Sequence, residues 1–351
     1  MKKICFFGIY DRSYSRNRVL ISGFQKNNYE VIYCNIDPRK HKGIKKYWLL
    51  YKEYKKVKNK RFDLILVAYP GHTVVWLARL LFGGDIIFDL FLSLYNSEVE
   101  DRKRYEPKGV GALYCRFLDW YSCKIAKIIL LDTYTQIDYF SEKFNIYHNR
   151  FKRVLIGSDD SFFHPKTVAK KESEFIVHFH GSFIPLHGIE YIIKAASILK
   201  NEISIKFRIF GKGQEFDRML RIKESLSADN IVFGGRISDE VLNDTINEAD
   251  IILGVFSDGI KSRMVVTNKV YEGVACRKPV LTARVPGVEE VFSDRVNILL
   301  CHPSDEKDLA KKILELKADK KLRDKIAENG YNFYLKNLRP EIIVSNLLKE
   351  I

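Results

Sequence analysis

Asn268-Lys269-Val270-Tyr271-Glu272-Gly273-Val274-Ala275-Cys276-Arg277-Lys278-Pro279-Val280-Leu281-Thr282 is the stretch that decides the fold. Asn268 and Lys269 open a predicted helix, and Glu272 lies one turn further on. The helix stops at Arg277-Lys278-Pro279, and Val280–Thr282 reads as the strand that follows. A helix N-terminus presents free N–H groups and positive partial charge, which suits a phosphate. A carboxylate one turn deeper accepts hydrogen bonds from two neighbouring hydroxyls, as on a ribose. The pattern fits a nucleotide held by its diphosphate and its sugar. The competing reading is an ordinary helix with a solvated Glu272, and an isolated helix of this composition is more often that.

Outward from this stretch, short apolar runs alternate with helical spacing. The first half gives strands at Ile4–Phe7, Val31–Asn35, Leu64–Ala68, Ile86–Asp89, Ile128–Leu131 and Arg153–Leu155, with helical segments such as Arg18–Lys26 and Val74–Leu81 between them. Leu92–Gly111 reads as a long polar insertion, a kind that is often functional. The second half restarts with strands at Phe175–Phe179, Lys206–Phe210, Asn230–Phe233, Ile251–Leu253, Val280–Thr282 and Ile298–Leu300. Its helices are expected at His187–Leu199, Glu215–Leu226, Asp239–Glu248, Thr267–Ala275 and Asp305–Ala318, with a mostly helical tail from Lys320. Regular strand–helix alternation marks an α/β fold with parallel, doubly wound sheets. The expected organisation is two Rossmann-like domains facing a cleft: 1–160, a linker over 161–172, 173–335, and a closing helix over 336–351.

A chain of 351 residues, 46% hydrophobic and 29% charged, has room for two cores. The N-terminal apolar run Ile4–Gly8 is short and reads as a strand, so no secretory signal is expected. The most apolar window, Val74–Tyr95, is broken by Arg79, Asp85 and Asp89 and is no membrane span. Six cysteines lack Cys-x-x-Cys spacing, which points to reduced, buried thiols in a cytoplasmic protein and away from zinc. The net charge of +15 is partly local, since Arg39–Arg61 holds eleven Lys/Arg and one acid, Glu53. Ile44, Tyr47, Trp48, Tyr51, Tyr54 and Val57 are interleaved there at helical spacing. We read a helix that packs its aromatic stripe on the sheet while its basic rim faces an anionic membrane. No nucleic-acid motif accompanies the patch, and nucleic acid is not expected as a partner.

The opening stretch resembles the donor-site signature of the group 1 nucleotide-sugar glycosyltransferases, a retaining family of the two-Rossmann (GT-B) type. The family pattern runs Glu, small residues, Gly, any residue, Pro-Val. Leu253–Lys261 with Val266–Glu272 resembles one branch closely, and Gly8–Arg18 and Leu130–Gln136 resemble its N-terminal domain. The resemblance implies transfer of a sugar from a UDP- or GDP-linked donor to a glycan or lipid-linked acceptor at the inner membrane face, in cell-surface polysaccharide or glycoconjugate synthesis. It implies no cofactor, and no Asp-x-Asp motif is present to bind a metal. It also implies a terminal helix that crosses back to the first domain.

By the same resemblance the first domain is the acceptor side. It brings Gly8, Arg16 and Asn17 toward the donor phosphates, with His72 and Asp89 as catalytic candidates beside Glu272. Asp132 and Thr133 end a neighbouring strand. In the second domain Gly181, Ser182, His187 and Gly188 form the phosphate loop, and Gly211 lines the cleft. Gly235 and Arg236 meet the base, and Lys261, Asn268 and Lys269 supply donors and charge. Each has a plainer reading: turn glycines, solvated lysines, a structural His72. The chain departs from the family at four positions. Ser182 stands for the usual Arg, His187 for Lys, Met264 for a first glutamate, and Arg277 for Gly before Lys-Pro. Two alternatives therefore stay open: a catalytically degenerate GT-B scaffold or binding subunit, and a nucleotide-sugar epimerase using acids such as Asp89 and Asp132. For the transferase, a helix N-terminus and cations would stabilise the departing diphosphate, and the acceptor hydroxyl would attack from the front face.

Overall fold

The computed structural model describes residues 1–168 and 173–351. The last four positions of the expected linker, 169–172, lie outside the described residues. The chain forms two units, Met1–Asp159 with Arg339–Ile351, and Asp160–Leu338.

In the first unit the elements are β1 (Lys2–Ile9), α1 (Ser15–Lys26), β2 (Tyr29–Ile36), α2 (Lys45–Val57), β3 (Leu64–Val67), α3 (Val75–Phe82), β4 (Ile87–Asp89), α4 (Val110–Ile125), β5 (Ile128–Leu131), α5 (Tyr134–Phe144) and β6 (Phe151–Arg153). The strands make one sheet in the order β2-β1-β3-β4-β5-β6, every pair parallel. β1 shows why its sequence is apolar without alternation: it is buried on both faces. Cys5, Phe7 and Ile9 pack toward α2, α3, α4 and α5, while Ile4 and Phe6 pack toward α1.

The polar stretch after β4 is more ordered than an insertion. Asn96–Asp101 is π-helical. Asp119 of α4 accepts hydrogen bonds from Ser93 Oγ at 2.6 Å, Leu94 N at 2.9 Å and Tyr95 N at 3.0 Å, and so pins the start of that stretch. On α2 the expected stripe divides. Val57 is buried, Tyr47 and Tyr54 are half-buried against the core, and Ile44, Trp48 and Tyr51 are exposed.

The second unit contains β7 (Phe175–His180), α6 (Ile189–Ile198), β8 (Ile205–Phe210), α7 (Phe216–Ser225), β9 (Ile231–Gly235), α8 (Asp239–Glu248), β10 (Ile251–Leu253), α9 (Ile260–Met264), α10 (Asn268–Ala275), β11 (Val280–Ala283), α11 (Pro286–Glu289), β12 (Leu299–Cys301), α12 (Glu306–Ala318) and α13 (Lys320–Asn337). Its sheet is again all parallel, in the order β12-β11-β10-β7-β8-β9. The strand order reverses between β1 and β3 in the first unit and between β7 and β10 in the second. Open α/β sheets bind ligands beyond the carboxyl ends of the strands at such switch points. The loops after β1, β3, β7 and β10 lie there and carry most of the candidate residues.

The chain then returns to the first unit as α14 (Pro340–Leu348), which lies on α1. Gly23 makes the contact flush: a Cβ there would sit 2.4 Å from Pro340 O and 2.4 Å from Val344 Cγ2. Asn27 Nδ2 donates to Glu341 O at 2.9 Å. All six cysteines are buried and unpaired, and burial pushes the Cys34 thiol up to about 12. Among the described residues no helix is long and apolar enough to cross a membrane. Gly23→Ala should force α14 off α1 and cost about 1–3 kcal/mol, the usual range for overpacking, read as a lower urea midpoint at unchanged slope.

Candidate functional site

In the second unit, glycines let three strand ends meet. Gly181 N donates to Phe210 O at 3.0 Å, and Gly211 N donates to Gly235 O at 2.6 Å. A Cβ on Gly211 would lie 1.9 Å from Gly181 O, so no other residue fits there. These loops frame a recess of about 260 Å³ whose lining includes Ser182, Gly211, Gly235, Arg236 and Ile237. Gly188 lies outside it, left-handed at φ 61°, where a Cβ would be 2.6 Å from Ser257 N.

α10 supplies the charge. Gly273 lets it lie close on the sheet, since a Cβ there would come 2.8 Å from Val280 Cγ2. Lys269 is thereby drawn inward to 3% exposure, with its ammonium 5.0 Å from the Phe179 ring centre. A Cβ on Gly181 would meet Lys269 Nζ at 3.3 Å and His187 Cε1 at 3.1 Å, so glycine is the residue that admits both. Burial lowers the Lys269 pKa to about 7, and Glu272 opposes that shift in part. Burial also holds His187 well below its usual pKa, with Lys269 adding to the effect. His187 is therefore neutral at pH 7. Its Nδ1 donates to Ser182 O at 2.5 Å, which leaves Nε2 as the acceptor. Lys261 is also buried and adds a weaker electrostatic push on His187. Asn268, the first residue of α10, is half-buried.

Glu272 is held by residues that the sequence reading passed over. Alternation along β7 turns His178 and His180 to one face. His178 Nε2 is 3.0 Å from His180 Nδ1, and His180 Nε2 is 2.7 Å from Glu272 Oε2. Burial keeps His178 neutral. With Glu272 a carboxylate, one arrangement satisfies both contacts: His180 Nε2–H donates to Glu272, and His178 Nε2–H donates to His180 Nδ1. The Nδ1 atom of His178, which has no partner, is then a lone pair. A His-x-His pair ending a strand before glycine is the signal that could have found them.

The first unit arranges its candidates differently. Arg16, expected at the donor phosphates, is fully buried with Asp89, expected as an open acid. Arg16 Nη2 is 2.8 Å from Asp89 Oδ1, and its Nη1 donates to Val154 O at 2.7 Å. Each is the other's counter-ion, so Asp89 is not an open acid in this structure. Asn17 Nδ2 donates to Asp11 O at 2.9 Å and Tyr69 O at 2.7 Å, tying the loops after β1 and β3 together. Gly8 closes β1 at φ 142°. His72 is buried against Phe88, with Nε2 3.3 Å from Asp119 Oδ1. Asp132 accepts from Gln136 Nε2 at 2.5 Å. Among the described residues no three His, Cys, Asp or Glu side chains are grouped to hold a metal.

Two of the four departures have local explanations. Arg277 stands at φ 56°, the left-handed position that ends α10, and its guanidinium pairs with Glu328. Met264 is buried where its backbone meets Gly287, so no carboxylate faces the site from there.

The family model described as "Glycosyl transferases group 1" matches residues 160–333. An uncharacterized glycosyltransferase of Methanocaldococcus jannaschii is 31% identical over 156 residues, covering 44% of this chain and 42% of that protein. The N-acetyl-alpha-D-glucosaminyl L-malate synthase of Bacillus anthracis is 26% identical over 175 residues, covering 50% and 44%. The chain thus spans less than half the length of these curated relatives. Among solved structures, the Anabaena protein HepE in complex with UDP superposes over 100% of both chains with a TM-score of 0.72 at 15% identity, which shows the shared fold.

Two stability outcomes are expected. The folded pKa of Lys269 lies below its unfolded value of 10.5, so the unfolded state binds more protons between about pH 7 and 10.5. The penalty for burying the charge is full below pH 7 and fades as pH rises through that window. Lys269→Met should therefore gain stability over the parent at pH 6, on the order of a few kcal/mol, and lose that advantage by pH 10. Urea melts at both pH values measure it. Arg277→Gly should add up to about 1 kcal/mol by relieving the left-handed backbone.

Proposed function

We propose, from the premise that this chain belongs through residues 160–333 to the group 1 glycosyltransferases, that it moves a sugar from a nucleoside diphosphate sugar to a glycan or lipid-linked acceptor. The observation that carries the reading is the Lys269 ammonium, buried at the start of α10 against the Gly181 loop, with Glu272 one turn further on. A diphosphate there meets the N-terminal N–H groups of α10 and the ammonium together. Glu272 has one oxygen committed to His180, and the other is left for the ribose. The recess beside Gly235, Arg236 and Ile237 accepts the base, and UDP is the first candidate because HepE was crystallised with it.

In the transfer step, the bond from the anomeric carbon to the diphosphate oxygen breaks as charge grows on the leaving group. Lys269 and the N-terminal N–H groups of α10 surround that charge, which is the main catalytic task. The acceptor hydroxyl attacks from the same face, its proton passes to the departing phosphate oxygen, and the configuration is retained. These groups do the work without a divalent cation. The cation that the family places within the phosphate loop is supplied here from α10, which accounts for Ser182 and His187. The epimerase alternative is weakened, since Asp89 is sealed by Arg16 and Asp132 is buried. The binding-subunit alternative keeps one argument, the missing carboxylate at Met264. In this reading the enzyme works at the cytoplasmic membrane face, a location supported by the exposed basic rim of α2, which would lie toward the lipid.

Two measurements test this. UDP binding at pH 8 should draw about one proton from solution, because the anion restores the Lys269 pKa. Calorimetry in buffers of different ionisation enthalpy reads the uptake, and zero uptake would remove Lys269 from the site. Glu272→Ala should weaken UDP binding by roughly tenfold or more, the scale of a lost charge-assisted hydrogen bond, in the presence of EDTA. UDP binding with no sugar transfer to any acceptor would favour the binding subunit.

A further inference from the structure

We propose that the outer face of α4, together with α2 and α3, docks on an anionic lipid surface, and that α4 is the part that enters the interface. The inference rests on the membrane-facing reading of α2 and adds a separate, apolar element to it. α4 is apolar on its outer face as well as on the side that packs on the sheet, where Ala112, Cys115, Leu118 and Cys123 are buried. Val110, Leu113, Tyr114, Phe117, Trp120 and Tyr121 recur at helical spacing and are all exposed, Leu113 at 59% and Phe117 at 49%. The buried side of the same helix holds Asp119 and Ser122. A helix face turned to water is ordinarily polar, and a contiguous exposed apolar face marks an interaction site.

The neighbouring helices extend this face. α2, α3 and α4 cover the same side of the first sheet. Tyr54 Oη of α2 donates to Leu81 O of α3 at 2.7 Å, which sets those two side by side. α3 adds exposed Leu80. The chain has three tryptophans, Trp48, Trp76 and Trp120. One lies on each of the three helices, exposed by 52%, 42% and 40%. Tryptophan and tyrosine favour the boundary between apolar and wet environments.

Charge selects the occupant. The first unit carries 31 Lys and Arg against 18 Asp and Glu, a net +13 of the chain's +15, and the second unit carries +2. On α4 the exposed charges are Arg116 and Lys124, both basic. On α2, Lys52 sits 3.5 Å over the Trp48 ring. A second copy of this unit would bring like charges together, whereas anionic headgroups attract the basic rim as the aromatic face enters the acyl boundary.

The test is sedimentation of the full chain with phosphatidylcholine vesicles, with and without phosphatidylglycerol, while tryptophan emission is recorded. The parent should bind the anionic vesicles with a blue shift, bind neutral vesicles at least about tenfold more weakly, and release in high salt. The double variant Phe117→Asp with Trp120→Asp should lose binding by about tenfold or more while keeping its melting temperature and its UDP affinity, a readout in the other unit. A charge variant, Lys52→Glu with Lys55→Glu, should also lose binding. If only the charge variant loses binding, the role of α4 is overturned and the α2 reading stands. If the parent ignores anionic vesicles, both fail while UDP binding still tests the enzyme. If the parent dimerises by sedimentation velocity and Phe117→Asp abolishes that, the face belongs to a second copy.

Discussion

A lysine ammonium that water barely reaches organises the second unit. Lys269 is 3% exposed, and its neighbours are a phenyl ring, a neutral histidine and a glycine backbone. Glu272 alone among the nearby groups raises its pKa, and only in part. A buried base so poorly compensated is an unfavourable arrangement for an isolated protein. It persists because α10 is pressed against the sheet at Gly273 and because Gly181 has no side chain to displace it. Stability is lost at the place where an anion would restore it, a common relation between strain and function.

The first unit handles buried charge in the opposite way. Arg16 and Asp89 meet in full burial, and the guanidinium is further satisfied by Val154 O and Leu155 O. That pair joins the start of α1, the end of β4 and the segment after β6, three parts of the chain far apart in sequence. Removing either partner strands a charge in the core, whereas the intact pair is neutral and hydrogen-bonded. The two units therefore share an architecture and differ in what their switch points present. The first shows a closed Arg16–Asp89 pair, and the second shows a poorly compensated buried base beside an open recess.

Much of the fold was legible because parallel strands buried on both faces leave continuous apolar runs, as in Ile4–Phe7 and Phe175–Phe179, and helices leave their own spacing between them. The placement of Lys269 and Glu272 on one helix was legible because it depends on that helix and its neighbouring turn alone. The pairing of Arg16 with Asp89 was not legible because 73 positions separate them, and a strand end or helix start says nothing about which distant charge it will meet. The His178–His180 chain was visible as a pattern, but its meaning depends on Glu272, 92 positions beyond His180. α4 was hidden for a different reason: it is apolar on both sides, and periodicity cannot say which side the sheet takes. The order after β4 likewise depends on Asp119, a residue of the following helix.

α14 bears on how the molecule is made. The first unit reaches its core only when Ile343, Val344 and Leu347 join Val19, Leu20 and Phe24 around Gly23. Those residues leave the ribosome after every part of the second unit has been synthesised. During translation the earlier-made unit must wait with one side of α1 uncovered, although its six strands, like those of the later-made unit, lie in one continuous segment. Its sheet is complete in sequence long before the helix that covers α1 has been made.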